Sequence, residues 1–462
     1  MHGVVVRWMR KLHSNNFHLA SLKTNSRTGE KCIPDHSFPD DTSSEPRKEG
    51  LRSFPSHGQC VHCRMDTNDT NMSIGYDGVD CKHFNGYKPC FPGVYCGDAC
   101  QRREPMGARI LIINLDAMGD VLMSTAQLAG IKRAHPVSQV HWITLGNAAA
   151  LLAHNPLIDR VHRWNDETRM ILREQHFDLV LNADKSAEAC AFAAALRCTE
   201  LRGFTLSRRG QIVPANPEAA YNFRMGIDDE LKFRVNERSG QDILAETWKL
   251  PYERDPYVLE LDAGERAFIE GLRREWRLEG AVVVGFNTGC SELFPNKKMT
   301  VEQHVELIAR LGEDEELVLL LLGGPEDSER NARILASLEA RGCGARVIST
   351  PTTEGLRRGI AYEALADIVV TGDSFGMHLA IALRKYVIAW FGLSCWTEID
   401  LYDRGVKFWP RNLACSPCWK RVCPHNLECI TGIDLAGITE AVRARVAELR
   451  GAARTVLSEK TA

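Results

Sequence analysis

The sequence predicts an α/β protein made of two doubly wound parallel sheets that face each other across a cleft. Apolar, strand-like runs alternate with helix-like segments from Arg109 onward; the alternation weakens between about 205 and 260 and restarts at Ala281. Strand–helix alternation at this spacing is typical of a parallel sheet covered by helices on both faces. Two such series predict two Rossmann-like domains, whose ligands bind beyond the carboxyl ends of the strands.

The composition is that of an ordinary globular protein with two domains. The chain has 462 residues, of which 44% are hydrophobic and 25% charged, and its formal net charge is −3. This charge gives no overall field that would attract nucleic acid. The longest purely aliphatic run, at 317–322, is far too short to span a membrane. We therefore expect a soluble, cytoplasmic protein that binds no nucleic acid.

Pattern and composition divide the chain into five parts. The first part shows no sustained period, and we expect it to be disordered or to be a mis-called reading frame upstream of Met72. In chain order the parts are an N-terminal extension at 1–72, a cysteine-rich segment at 73–106, a first domain at 107–260, a second domain at 261–433, and a C-terminal helix and tail at 434–462.

The individual elements follow from hydrophobic periodicity. Strands are predicted at 109–115, 139–145, 158–164 and 177–183, and helices at 120–133, 148–154, 167–175 and 186–197. The second series predicts strands at 281–287, 317–322, 346–349, 368–371 and 386–391, with helices at 300–311, at 328–340 and from about 374. We expect a last amphipathic helix at 435–450 to pack back across the domains.

The loop after the first predicted strand carries a carboxylate. Residues 115–122 read Leu-Asp-Ala-Met-Gly-Asp-Val-Leu, so the dinucleotide fingerprint GxGxxG is absent there. An Asp at a helix start often serves only as a cap. A carboxylate would repel a diphosphate, however, so this loop is better suited to accept a proton. Asp120 is therefore the candidate general base on the acceptor side.

The second domain supplies a candidate anion site. Residues 371–378 follow an apolar strand and open a helix, where free N–H groups and the helix dipole suit an anion. Ser374 and Gly376 permit a close approach, while His378 either reaches a phosphate or is a core histidine. Lys297 and Lys298 follow the segment 287–291, which leaves a predicted strand. These two lysines are either ordinary solvent-exposed charges or cations at the edge of the same anion site.

Two cysteine clusters flank the predicted domains. Four thiols in a short irregular segment match a structural zinc site, and an iron–sulfur cluster uses the same ligands. The alternative is that these thiols are unpaired, and the chemistry above needs none of them. The clusters are Cys81, Cys90, Cys96 and Cys100 before the first strand, and Cys415, Cys418, Cys423 and Cys429 after the second sheet.

Four motifs together resemble the lipopolysaccharide heptosyltransferases of glycosyltransferase family 9. They are ILIINLDAMGDVL near the start, NTG followed by KKMT, LLGGPED, and DSFGMHLAIAL. No single motif is very specific, but all four occur in the order and approximate spacing of that family. The resemblance covers about residues 108 to 435.

The resemblance implies an inverting transferase with the GT-B fold that needs no cofactor for catalysis. An acceptor would bind the first domain and an ADP-sugar the second. Asp120 takes the position of the family's base, and Lys297 that of the lysine that contacts the donor phosphate. The remaining donor-binding positions are Thr288, Asp373, Ser374, Gly376, Met377 and His378.

The expected acceptor is a lipid-linked glycan, such as a lipopolysaccharide core. We therefore expect peripheral contact with the inner face of the membrane, through basic residues such as Arg202, Arg208 and Arg209, which are otherwise ordinary surface charges. Two motifs depart from the family: Asn114 replaces a common lysine in the first, and Phe375-Gly376 replaces Gly-Pro in the last. The loop at 392–398 departs as well, which leaves the base and the sugar of the donor open.

Two other functions are compatible with the sequence. One is a sugar-nucleotide epimerase of the same architecture, which converts a UDP-sugar without an acceptor. The other is a non-catalytic, metal-binding interaction protein in which the transferase site has decayed.

Overall fold

The computed structural model of the protein describes residues 79–97, 99–115 and 117–461, with the side chains of the last helix up to residue 452. The chain divides into two units, residues 1–71 and 72–462, and every described residue belongs to the second. The expectation for residues 1–72 falls outside the described residues.

The first domain is built on a mostly parallel sheet. Its strands are β1 (Ala108–Ile113), β2 (Ser138–Thr144), β3 (Arg160–Arg163), β4 (His176–Asn182), β5 (Arg197–Leu206) and β6 (Ile212–Pro214). Their order across the sheet is β3-β2-β1-β4-β5-β6, and only β6 is antiparallel to its neighbour. The central strand β1 is buried from Ile110 to Ile113, as expected for an apolar strand covered on both faces.

Short helices cover the first sheet. They are α1 (Met118–Ser124), α2 (Gln127–Ala134), α3 (Asp166–Glu174), α4 (Ala187–Ala194), α5 (Ala220–Met225) and α6 (Gly240–Thr247), with 3-10 turns at Ala148–Leu152 and Pro217–Ala219 and a π-helical turn at Leu231–Val235. Asn165 and Ser186 cap α3 and α4 through side-chain oxygens that accept from the backbone N–H groups of Thr168 and Ala189.

The second domain repeats the plan with a fully parallel sheet. Its strands are β7 (Val282–Asn287), β8 (Leu317–Leu322), β9 (Arg346–Ser349), β10 (Ile368–Gly372), β11 (Tyr386–Trp390) and β12 (Gly405–Phe408). The order is β12-β11-β10-β7-β8-β9. Numbered within its own domain, each sheet has the order 3-2-1-4-5-6, which is that of a doubly wound dinucleotide-binding fold. The predicted fold class is confirmed.

Helices of the second domain cover its sheet in the same way. They are α7 (Ala263–Glu275), α8 (Val301–Leu311), α9 (Ser328–Ala340), α10 (Leu356–Ala364), α11 (Phe375–Ala382), α12 (Glu428–Thr431) and α13 (Leu435–Thr461), with 3-10 turns at Pro295–Lys297 and Pro325–Asp327. No helix among the described residues is long and apolar enough to cross a membrane.

The helix predicted at 120–133 is two helices, because the chain breaks at Thr125 and Ala126. Their backbone N–H groups donate to Leu122 and Met123 three residues back, a 3-10 pattern that ends α1. The Thr125 hydroxyl donates to the Leu122 carbonyl and accepts from the Val258 N–H, at 2.5 and 2.9 Å. The break between α1 and α2 therefore depends on the hydrogen bond between Thr125 and Val258, a residue far away in sequence.

The last helix packs on the second domain. Ile438, Val442 and Val446 of α13 are buried in the same cluster as Val305 and other apolar residues of α8. The Arg450 guanidinium, near the end of the described side chains, pairs with Asp314 at 2.7 Å. Among the side chains that the structure describes, these contacts place α13 against α8 rather than across both domains, so the expectation for the segment 435–450 was wrong.

Candidate active site

The site lies where the carboxyl ends of the two sheets face each other. In a sheet of order 3-2-1-4-5-6, the ligand crevice opens at the switch point beside the first strand of the domain. Segments that follow β1, β7 and β10 therefore meet there, and α1 of the first domain packs against α11 of the second.

Asp120 occupies the first turn of α1. Its carboxylate remains open to solvent and accepts from the Ala117 N–H at 3.4 Å, a weak contact for a cap. Although Asp120 is exposed, the walls of the cleft exclude part of the water around its carboxylate, and this desolvation raises the pKa of Asp120 above its ordinary value. The charges of His378 and Lys297 act in the opposite direction. An accessible carboxylate with a raised pKa suits a proton acceptor.

His378 links the two domains at this point. Its ring lies against Gly119 so closely that a Cβ on Gly119 would come within 2.6 Å of the imidazole Cδ2. Its Nδ1 lies 3.2 Å from the hydroxyl of Tyr257, which belongs to the connection between the domains. Burial lowers the pKa of His378, against the opposing carboxylates of Asp373 and Asp120. The ring is therefore neutral near pH 7, buried, and positioned by Tyr257.

Lys297 and Asp373 form a buried ion pair. The ammonium Nζ lies 2.7 Å from Asp373 Oδ2, and the two side chains are only 14% and 12% exposed. Burial alone would raise the pKa of Asp373, but the Lys297 ammonium, assisted by His378 and Ser394, holds it below its ordinary value. The lysine predicted to meet a phosphate thus has a carboxylate partner in the described structure.

The loop 371–378 ends strand β10 and opens helix α11, while its role as an anion site stays a prediction. Ser374 is the residue before α11 and makes no side-chain cap, and its hydroxyl lies 3.3 Å from that of Thr371. A Cβ at Gly376 would come within 2.4 Å of the Asn287 side chain. Asn287 in turn donates to buried Glu363 at 3.1 Å. Only glycine at 376 lets α11 approach β7 this closely.

Thr288 and Met377 do not present their side chains to the cleft. Both are fully buried, and the Thr288 hydroxyl contacts Asn331 Oδ1 at 2.5 Å. Their donor-binding roles stay predictions. Asn114, the departure in the first motif, donates to Asp184 Oδ1 at 2.8 Å and fixes the loop after β4.

Three residues at the same edge were not predicted from the sequence. Glu398 is partly buried, and burial raises its pKa, reinforced by the nearby carboxylates of Asp373 and Asp120. Lys232 lies 3.9 Å from Glu398, and Trp419 lies beside Lys297. Glu398 ends the loop 392–398, whose departure from the family motif could have indicated a residue of the site. No sequence motif marks Lys232 or Trp419.

The two cysteine clusters differ in their surroundings. The C-terminal four thiols line one pocket beside Asn296, and burial, together with the neighbouring thiols, raises the pKa of Cys429 to about 11. In the N-terminal cluster Cys81 is buried and Cys90 exposed. Within the part of the chain that the structure describes, no three His, Cys, Asp or Glu side chains are arranged to hold a metal ion. The metal assignment stays a prediction.

The arginines considered for membrane contact also differ. Arg202 is half-buried and pairs with Glu200 at 2.7 Å, and it also donates to the Trp248 carbonyl at 2.9 Å. This pairing makes Arg202 a structural residue of the first domain. Arg208 and Arg209 are exposed at the turn between β5 and β6.

Two parallel-sheet domains with their strand ends facing one cleft define the GT-B architecture of glycosyltransferases. The chain belongs to glycosyltransferase family 9 (heptosyltransferase), whose family model matches residues 168–428. That range contains Lys297 and the loop 371–378 and excludes Asp120.

Relatives of this family resemble the chain at low identity. Lipooligosaccharide heptosyltransferase 2 of Campylobacter jejuni is 24% identical over 179 residues, which are 36% of this chain and 54% of the relative. The chain thus matches about half the length of this curated relative.

Two solved structures share the fold. A family 9 glycosyltransferase from Veillonella parvula has a TM-score of 0.58 and 17% identity, covering 75% of this chain and 99% of that one. The ADP-heptose lipopolysaccharide heptosyltransferase II of E. coli has a TM-score of 0.55 and 20% identity, covering 74% and 99%.

Proposed function

We propose that this protein transfers a heptose or related sugar from an ADP-sugar to a hydroxyl of a lipopolysaccharide core or related surface glycan, with inversion at the anomeric carbon. The observation that carries the proposal is the meeting of α1 and α11. It brings an accessible carboxylate, Asp120, to the same edge as a buried lysine and the uncapped first turn of a helix.

Each group has a chemical task in this reaction. The acceptor oxygen attacks the anomeric carbon while Asp120 takes its proton, and the bond from that carbon to the diphosphate oxygen breaks. The electron pair leaves with the diphosphate, whose charge the Lys297 ammonium and the N–H groups of α11 would stabilise. These groups can neutralise the leaving group without a divalent cation.

The location of the protein follows from the proposed acceptor. A lipid-linked glycan is presented at a membrane surface, so we propose that the protein works in the cytoplasm in peripheral contact with the inner membrane. Exposed Arg208 and Arg209 are the basic residues suited to anionic headgroups. Arg202 is not proposed for membrane contact, because its guanidinium pairs with Glu200.

The donor is tested first, because the acceptor is unidentified. The full chain is incubated with ADP-, UDP-, GDP- and CMP-sugars and its thermal unfolding is recorded. A ligand at 100 times its dissociation constant stabilises by about 2.7 kcal/mol. We expect ADP and ADP-heptose to raise the unfolding temperature by at least about 2 °C.

The panel separates the proposed transferase from its two rivals. A shift with UDP-sugars alone, followed by conversion of that sugar without an acceptor, would identify the epimerase. No shift with any nucleotide sugar, in protein with a cooperative transition, would favour the non-catalytic alternative. Lys297→Met should lose the shift with ADP, because Lys297 is the lysine proposed to contact the donor phosphate. Lys298→Met, at the neighbouring lysine, is its control and should keep that shift.

We further propose that the C-terminal thiols bind one structural metal centre, either a zinc ion or an iron–sulfur cluster. The four thiols line one pocket, and four thiols are the ligand set of a structural zinc site or an iron–sulfur cluster. Binding would release protons, because cysteine ligands bind metal as thiolates. Rotation of the cysteine side chains would bring the four sulfur atoms to the metal. The metal would stabilise the local fold and take no part in the transfer reaction.

Metal content per chain tests this second proposal. Protein purified without oxygen should hold about one zinc or one iron–sulfur cluster per chain. Cys418→Ser/Cys423→Ser should remove it. Cys343→Ser, at a half-buried thiol outside both clusters, should keep it. Loss of the metal with Cys90→Ser/Cys96→Ser instead would assign the site to the N-terminal cluster and contradict the proposal.

A further inference from the structure

Trp419 lies directly on the lysine of the proposed donor site. The Lys297 ammonium is 4.2 Å from the centroid of the indole ring, within the range of a cation–π contact. Phe294, three residues before Lys297, meets the same ring edge-on at 5.1 Å. The ammonium is therefore held between an aromatic face and the Asp373 carboxylate.

The backbone around Trp419 is tied down on two sides. The N–H groups of Cys418 and Trp419 both donate to the Leu393 carbonyl, at 2.9 and 3.0 Å. Asn296, the residue before Lys297, donates to the Lys420 carbonyl at 2.8 Å. Trp419 itself has a φ of +50°, in the left-handed region that bulky residues rarely adopt. Such strain is typical of positions with a functional constraint.

A lysine of the other domain also approaches this ring. Lys232, in the π-helical turn of the first domain, has its ammonium 5.2 Å from the indole centroid. Trp419 thus receives one cation from each domain at the cleft. Lys232 is further paired with Glu398, while Lys297 is paired with Asp373. An aromatic residue that only filled a core would have apolar neighbours instead.

We infer that Trp419 is a positioning residue for the transfer reaction: its ring holds the Lys297 ammonium in place to meet the diphosphate of the donor. The donor part of this inference depends on the proposed function, whereas the placement of Lys297 does not. A fixed cation binds the leaving group without first losing the rotational freedom of a long side chain.

Selective labelling measures the placement of Lys297. Limited acetylation followed by peptide mass spectrometry gives the reactivity of Lys297 relative to Lys298, which is an internal standard. In Trp419→Leu we expect this ratio to rise by about tenfold, and in Trp419→Phe, which keeps a π face, by less than about threefold.

Trp164→Leu is the matched control. Trp164 is also half-buried, with the Arg169 guanidinium 4.8 Å from its ring and Phe192 edge-on at 5.3 Å, but it lies outside the site. The labelling ratio should not change in this variant. ADP affinity, measured by calorimetry, should fall about tenfold in Trp419→Leu and remain within about threefold of wild type in the Phe and control variants.

The outcomes are distinct. A labelling ratio in Trp419→Leu equal to that of Trp164→Leu would overturn the inference. Equal rises in the Leu and Phe variants, with equal losses of unfolding temperature, would show a packing role and overturn it too. If wild type does not take ADP, the donor proposal fails, while the labelling ratio still decides the placement of Lys297.

Discussion

Asp120→Asn is expected to lower kcat/KM for sugar transfer by about 10³-fold, within the range that general-base catalysis contributes. The amide keeps the size and polarity of the side chain but cannot accept the proton of the attacking hydroxyl. Stability should change little, because the carboxylate is exposed and its one capping contact is 3.4 Å long. Transfer is measured with the donor identified by the nucleotide-sugar panel.

The pH profile provides a second measure of the same prediction. The carboxylate must be ionised to act, so kcat/KM should fall as the pH drops through the pKa of Asp120. An ordinary aspartate has a pKa of about 3.9. Because the cleft raises the pKa of Asp120, the activity should begin to fall at a higher pH than an ordinary aspartate would give. The variant should lack this acid limb.

Asp166→Asn is the control for Asp120. Asp166 also lies in the first turn of a helix, α3, but it follows the edge strand β3, and its exposed carboxylate pairs with Arg169. Its replacement should leave transfer unchanged. If Asp120→Asn kept activity within about threefold of wild type, the base would lie elsewhere.

Buried, uniform segments were predictable from the sequence to the residue. The run of aliphatic residues in β8 and the amphipathic pattern of α9 have the predicted bounds, 317–322 and 328–340. In both, one property decides the element: full burial for the strand, and a repeating apolar face for the helix. The two-domain fold followed because two such series occur.

Segments decided by distant contacts were not predictable. Strand β5 continues to Leu206 because it pairs with β4 and then with antiparallel β6, yet its sequence alternates poorly. Within the site, Asp120, Lys297 and the loop 371–378 were marked by local motifs. Trp419 and Tyr257 enter through segments far away in sequence, and local pattern carries no information about such pairings.

Lys297→Met should lower both stability and activity, because the substitution leaves Asp373 buried without its partner. Breaking a buried pair on one side typically costs about 3–5 kcal/mol, or roughly 6–20 °C in unfolding temperature for a domain of this size. The loss should be largest above the ordinary pKa of aspartate, since the unpaired carboxylate is charged in the unfolded chain and costly to bury. It should shrink as the pH falls and Asp373 becomes protonated in both states.

The double variant Lys297→Met/Asp373→Asn separates the two roles of the lysine. It buries no unpaired charge, so most of the unfolding temperature should return, whereas transfer should stay about 10²- to 10³-fold below wild type without the cation that stabilises the departing diphosphate. Lys298→Met, one residue away, should match wild type in both measurements. Recovery of activity together with stability in the double variant would show that Lys297 only compensates Asp373, and the phosphate-binding role would then have to pass to the N–H groups of α11.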